Sequence, residues 1–227
     1  MKSKITLPFM MMGILFTVFL VVSNLLETKV VQLGFVSATA GLMVFPISYI
    51  INDCIVEVWG YRKARLIIWV GFGVNFIVVG LTQLAILMPA APYWEGEEAF
   101  DFIFGMTPRI VAGSLCAFLV GSFINAFVMS RMKVLSNGKY FSLRAIVSTL
   151  AGESADSLIF FPIAFWGIIA WDNLLTLIIT QIVLKSLYEV LALPLTIVVV
   201  SRVKKLDGSD EYDREVSFNP FKIKDIS

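Results

Sequence analysis

Six apolar stretches follow one another along this chain with little between them: Leu7–Asn24, Phe35–Val58, Leu66–Met88, Pro108–Met129, Ala145–Ala170 and Leu174–Val200. A helix that crosses the hydrocarbon core of a bilayer needs about 20 apolar residues. No soluble core of this size requires so many such runs. Charged residues make up 15% of the chain, against about 25% in soluble domains. Lipid is therefore the solvent for which these residues are selected. The pattern predicts an all-α polytopic membrane protein with six transmembrane helices over 1–206 and a cytoplasmic tail over 207–227. The first stretch follows Lys2 and Lys4 but lacks an Ala-x-Ala cleavage site, so it reads as a retained helix rather than a signal peptide.

Orientation follows from the basic residues, which concentrate in cytoplasmic loops. With the N-terminus inside, the inner segments hold Lys2 and Lys4; Arg62, Lys63 and Arg65; Arg131, Lys133, Lys139 and Arg144; and Arg202, Lys204, Lys205, Arg214, Lys222 and Lys224. The outer segments hold only Lys29 and Arg109. Fifteen against two, with Lys185 left in the last span, predicts an inner (plasma) membrane protein with both termini cytoplasmic. The outer loop from Pro89 to Thr107 carries Glu95, Glu97, Glu98 and Asp101 among aromatic residues and reads as solvated, with Tyr93, Trp94 and Phe100 in an interfacial belt.

The chain has no histidine. That excludes Ser–His and Cys–His catalysis, haem ligation and most zinc sites. Cys54 and Cys116 lie in apolar runs and match no metal or disulfide framework. No metal, cofactor or nucleic-acid partner is expected.

The informative residues are charges placed where charges are expensive, at no less than about 2.5–3.5 kcal/mol each near the bilayer centre. Asp53 and Glu57 stand i, i+4 in the second span, on one helix face. Glu153 and Asp156 stand i, i+3 in the fifth. Lys185 and Glu189, i and i+4 in the sixth, are placed to pair with each other. Asp53 lies nine residues before Arg62 and Glu153 nine after Arg144, so each sits roughly 13 Å from the same interface. The two spans run in opposite directions. Each is the middle helix of three, and each carries Phe-Pro-Ile beside its acids (Phe45–Ile47 and Phe161–Ile163). Paired, Pro-interrupted polar segments fit two inverted three-helix repeats with a shared site near the midplane. The plainer reading is a polar clamp between helices, for which Ser, Thr and Asn normally suffice. Asn75, Gln83, Asn125 and Gln181 read as packing residues or site residues alike.

At these motifs the sequence resembles the bacterial queuosine precursor transporter family, also described as vitamin uptake transporters. The resemblance is carried by Phe45-Pro46-Ile47-Ser48-Tyr49-Ile50-Ile51-Asn52-Asp53 with Glu57, Gly60 and Tyr61, and by Lys63-Ala64-Arg65. It continues through Pro108-Arg109-Ile110, Gly152-Glu153-Ser154-Ala155-Asp156-Ser157-Leu158-Ile159-Phe160, and Lys185 with Glu189 and Pro194. The tail segments Asp210–Asp213 and Phe218–Phe221 match as well. Cys54-Ile55-Val56 departs from the family, which has a Thr before the Glu.

The resemblance implies import of 7-deazaguanine bases, precursors of the tRNA base queuosine. A guanine-like edge presents N–H donors that one carboxylate accepts in pairs, and an aminomethyl form adds a cation. The predicted substrate site is Asp53, Glu57, Glu153 and Asp156, with Lys185 holding an acid ionised or meeting a ring carbonyl. Asn52, Arg109 and Glu189 are secondary candidates, and Tyr49, Phe160, Phe161 or Tyr188 would stack on the heterocycle.

Two other readings compete. The layout also resembles the six-helix substrate-binding subunits of energy-coupling-factor importers. These depend on partner subunits for ATP hydrolysis, and this chain has no Gly-x-x-x-x-Gly-Lys-Ser/Thr loop of its own. An intramembrane aspartyl enzyme built on Asp53 and Asp156 would need a Gly-x-Gly-Asp signature, which is missing. The expected partners are a small-molecule solute and the lipid bilayer, with a homo-oligomer left open.

Overall fold

The computed structural model describes residues 5–26, 29–33, 36–105, 108–167, 170–214 and 216–222. Helix α1 spans Leu7–Leu26, α2 Phe45–Ile86, α3 Glu97–Phe104, α4 Pro108–Leu135, α5 Phe141–Phe165 and α6 Trp171–Asp207. All but the eight-residue α3 are long and apolar enough to cross a membrane. The predicted helical architecture holds, with one addition. The start of the expected second span is instead the second strand of an antiparallel hairpin, β1 Val30–Leu33 and β2 Val36–Thr39, followed by a 3-10 turn over Ala40–Met43. The hairpin base closes where Ala40 N–H donates to the Lys29 carbonyl at 2.8 Å. The helix itself begins at Phe45 with Pro46 in its first turn, where a missing N–H costs nothing.

A loop over 59–65 was expected between the second and third spans. The chain instead reverses at one residue. Gly60 has φ 78° and ψ 173°, a conformation essentially confined to glycine. The reversal is visible in the neighbours of α4. Against α4, Asn52 bonds Asn125 and Glu57 meets Lys133, so Phe45–Trp59 runs in the same sense as α4. Trp69 packs on Phe123, while Asn75 and Ser114 both bond Asn24, so Tyr61–Ile86 runs in the opposite sense. At 1.5 Å per residue, α2's 42 residues amount to about 63 Å of helix, twice the thickness of a hydrocarbon core.

Helix α1 lies beside the second half of α2 in parallel. Phe9 meets Trp59 and Lys63, Gly13 meets Ile67, and Asn24 bonds Asn75 at 2.9 Å. Helices α4 and α5 approach closely through small residues. A Cβ on Gly121 would lie 2.9 Å from the Gly152 carbonyl, and one on Gly152 2.9 Å from the Gly121 carbonyl, the backbone proximity that glycine permits in membrane bundles.

Polarity is inverted relative to a soluble protein. Glu153 is 0% exposed, whereas Leu191 is 74% exposed and Leu195 67%. Such an apolar surface is stable only against lipid tails.

Candidate functional site

The first half of α2 places Tyr49, Asp53 and Glu57 one turn apart on one face, and the bundle builds a polar layer around each. The outermost of the three, nearest the hairpin, gathers Tyr49, Glu153, Asp156 and Lys185. The Lys185 ammonium lies 2.9 Å from Glu153 Oε2 and 3.4 Å from Asp156 Oδ2. It also sits 4.0 Å from the centre of the Phe45 ring, a cation–π contact. The spacing would also allow Lys185 to pair with Glu189 along its own helix. It reaches instead across to α5, because both α5 acids converge on it. Tyr49 is 2% exposed, with its hydroxyl in the space between Gly121, Gly152 and Asp156.

The next layer holds Asp53, Asn125, Ser148, Thr149 and Glu189. Ser148 Oγ donates toward the Asp53 carboxylate at 3.2–3.3 Å. Asn125, whose Oδ1 accepts from Asn52 at 2.6 Å, and Glu189 on α6 are both buried. Thr149 is buried on α5, one turn before Glu153.

Among the described residues, several buried polar atoms of these two layers have no hydrogen-bonding partner in the protein. They include Tyr49 Oη, Asn125 Nδ2, Thr149 Oγ1, Glu153 Oε1, Ser157 Oγ and both Glu189 carboxyl oxygens. Native interiors leave few such groups. Concentrated among α2, α4, α5 and α6, they mark a surface built to meet a polar guest or ordered water.

The third layer lies at the Gly60 end and is self-sufficient. Glu57 binds Arg144, takes Lys204 at 2.7 Å, and has Lys133 at 3.9 Å. Lys133 also donates to the Glu57 carbonyl and, at 2.6 Å, to Asp210. Asp210 pairs with Lys204 at 2.8 Å as well. Burial works against its charge, but the Lys133 and Lys204 ammonium groups outweigh it and hold the carboxyl below its usual range. Glu57 is thus not brought together with the other predicted acids; it is enclosed by cations that a sequence reading assigns to solvated loops.

The tail completes that end. Asp213 accepts from Tyr61 N–H at 2.7 Å and Ser130 Oγ at 2.5 Å, satisfying the helix that starts after the Gly60 reversal. Arg65, 0% exposed, donates to the Ser217 and Asn219 carbonyls at 3.2 and 2.7 Å. Phe218 packs on Tyr61 and Phe127.

Of the other predicted residues, Asn52 is buried against Ser122 and Asn125 on α4. Phe160 and Phe161 pack with Leu174 and Ile178 in a separate apolar cluster. The Tyr188 hydroxyl donates to the Met43 carbonyl at 3.2 Å, away from the acids. The Arg109 side chain lies outside the described residues. Sequence reasoning passed over Ser148 and Thr149. Their signal was present: they precede Gly152 and Glu153 by one turn and so share a face with them.

Comparison with known proteins adds a family. A model described as "Putative vitamin uptake transporter" matches residues 39–199. The chain is 29% identical over 175 residues to a "Probable queuosine precursor transporter" of Bacillus subtilis, covering 77% of this chain and 76% of that one. It is 29% identical over 142 residues to the "Queuosine precursor transporter" of Escherichia coli, covering 63% and 61%. It is 27% identical over 129 residues to a "Probable queuosine precursor transporter" of Haemophilus influenzae, covering 57% and 52%. No solved structure matches.

Proposed function

Because the chain belongs to the vitamin uptake transporter family, we propose that it carries a queuosine precursor, a 7-deazaguanine base, into the cell across the bacterial inner membrane. The observation that carries this reading is the layer of Tyr49, Glu153, Asp156 and Lys185, buried between α2, α5 and α6, in which Tyr49 Oη and Glu153 Oε1 have no hydrogen-bonding partner among the described residues. A guanine-like base presents adjacent N–H donors to a carboxylate and a ring carbonyl to an ammonium. Glu153 and Asp156 supply the acceptors, Lys185 the donor, and Tyr49 both a ring face and a hydroxyl. Asp156 and Lys185, 6% and 8% exposed, are within a side-chain movement of the bundle surface.

The helix senses support the predicted topology. If the Gly60 reversal faces the cytoplasm, all four basic segments identified in the sequence fall on that side, and α2 supplies two of six crossings. The halves α1–α2 and α4–α6 then each contain three crossings, with the acids on the middle one, as an inverted repeat requires. The cationic third layer and the docked tail would close the cytoplasmic side of the site in this conformation.

The test is uptake of labelled 7-deazaguanine bases by cells that can neither make nor otherwise import them. Glu153→Gln and Asp156→Asn are expected to abolish uptake while the protein remains inserted at wild-type abundance. Near-normal uptake by both variants would remove the site from contention. Purified protein alone in liposomes should exchange the base. A requirement for added ATP-hydrolysing subunits would instead favour the substrate-binding-subunit reading.

A further inference from the structure

The Lys185 ammonium sits in a seat built by two other helices. The carboxylates come from α5, Glu153 Oε2 at 2.9 Å and Asp156 Oδ2 at 3.4 Å. The aromatic face, 4.0 Å from the nitrogen, is that of Phe45, the first residue of α2. Phe45 is buried and held by its neighbours: its carbonyl accepts from Ser48 Oγ at 2.6 Å, and its ring centre lies 5.6 Å from that of Tyr49. Two carboxylates and a ring face around one point suit an alkylammonium group on any molecule. Lys185 reaches that point from α6 on a flexible four-carbon stem, so it can also leave.

The charge around the seat is unbalanced. Among the described residues, the two layers nearest the hairpin bury four carboxyls, Asp53, Glu153, Asp156 and Glu189, and one ammonium, Lys185. The third layer is the reverse, with Lys133, Arg144 and Lys204 around Glu57 and Asp210. Buried charge without a counter-charge is costly, so a guest that brings a cation is favoured at the seat over a neutral one. Glu153 Oε1, on the same carboxyl group, has no hydrogen-bonding partner among the described residues, and neither has Tyr49 Oη in the space bordered by Asp156.

We infer that Phe45, Glu153 and Asp156 form a seat for a solute's ammonium group, that Lys185 fills it while the solute is absent, and that the carrier therefore selects amine-bearing bases over neutral ones. This rests on the transporter reading above and adds to it a specificity-determining residue, Phe45. When the solute's ammonium takes the seat, Lys185 withdraws and becomes the donor for the ring carbonyl. Glu153 Oε1 and Tyr49 Oη remain for the other polar atoms of the ring.

The first measurement is binding of two labelled probes to the purified full-length protein. One is the aminomethyl form of 7-deazaguanine, a cation at neutral pH; the other is the nitrile form, which is neutral. The wild type should bind the aminomethyl form at least about tenfold more tightly, as a desolvated cation–π and ion contact implies. Equal affinity, or a preference for the nitrile, overturns the inference and leaves the transporter reading standing. Binding of neither probe overturns the transporter reading and the selectivity together, and the seat then stands or falls on a second test that uses no base. Lys185→Ala vacates the seat. Ethylammonium should raise the melting temperature of that variant and leave the wild type unmoved, whereas ethanol, its neutral isostere, should move neither. Adding Phe45→Leu to Lys185→Ala should raise the ethylammonium concentration required by about tenfold, and Phe45→Tyr in its place should restore the response. An equal response to ethylammonium and ethanol, or a Phe45→Leu double variant that responds like its parent, overturns the seat. Should Lys185→Ala fail to fold, the ratio of the two probes in the wild type decides alone.

Discussion

Two residues show how tightly single side chains are constrained here. Gly60 combines a φ of 78° with a neighbour that leaves no room: an added Cβ would lie 2.8 Å from Asp213 Oδ1. That carboxylate is already held by Tyr61 N–H and Ser130, so it cannot retreat without loss. Gly60→Ala is expected to destabilise the protein by at least about 1–3 kcal/mol from backbone strain alone, read as a lowered melting temperature in detergent. Gly73→Ala is the control. A Cβ there meets nothing within 4 Å, and an alanine in a helix interior should be neutral or stabilising by up to about 1 kcal/mol. Glu57 tests the opposite kind of constraint. Lys133 and Arg144 are 2% and 1% exposed around it; Lys133 also has Asp210, so Glu57→Gln would leave the buried Arg144 without its carboxylate. Removing one member of a buried ion pair costs about 3–5 kcal/mol, and the variant should show poor accumulation in the membrane and early thermal unfolding. A Glu57→Gln protein as stable as the wild type would mean that the cations find other partners.

At the scale of elements, the tail after Gly208 behaves as a strap rather than a free end. It holds the first half of α2 through Glu211 N–H on the Val58 carbonyl at 3.1 Å, the second half through Asp213 and Arg65, and α4 through Lys133 and Phe127. Asp213→Ala is therefore expected to release residues after Gly208 to limited proteolysis in inside-out vesicles, where the wild type resists. Equal cleavage of both would show that the strap does not depend on that carboxylate.

This element also marks where the sequence stops being legible. Hydropathy indicated a bundle of long apolar helices, because lipid imposes its length rule locally on each segment. The acids of the upper two layers were legible for the same reason: a carboxylate in an apolar run has no local excuse. The partners were not legible. Whether Lys133 and Arg144 are solvated loop charges or the buried cage of Glu57 depends on which helix ends the tail covers, a contact spanning some 80 residues. The hairpin at 30–39 was hidden by its own apolarity, since short apolar runs read alike as helix or strand. Gly60 looked like any loop glycine until its dihedrals showed that it makes the turn alone.

For the whole molecule, the decisive question is which side of the membrane each end faces. The pairing of α4 with both halves of α2 puts the Gly60 reversal, the α4–α5 turn around Asn137 and the end of α6 at one end of the bundle. The link from α2 to α4, which includes α3, lies at the other. If each long segment crosses, the chain makes six passes and its C-terminal strap shares a compartment with Gly60. Helix α2 is what makes the number even: read as one uninterrupted crossing, it would give five passes and strand Arg62, Lys63 and Arg65 within the bilayer. Single cysteines separate the two outcomes in a background lacking Cys54 and Cys116. A cysteine at Glu95 should react with a membrane-impermeant maleimide applied to intact cells, whereas cysteines at Ile5 and Ser209 should react only after the membrane is opened. Labelling of the Ile5 and Ser209 positions on opposite sides would require α2 to span once, and would dismantle both the inverted arrangement of the halves and the cytoplasmic closure proposed for the strap.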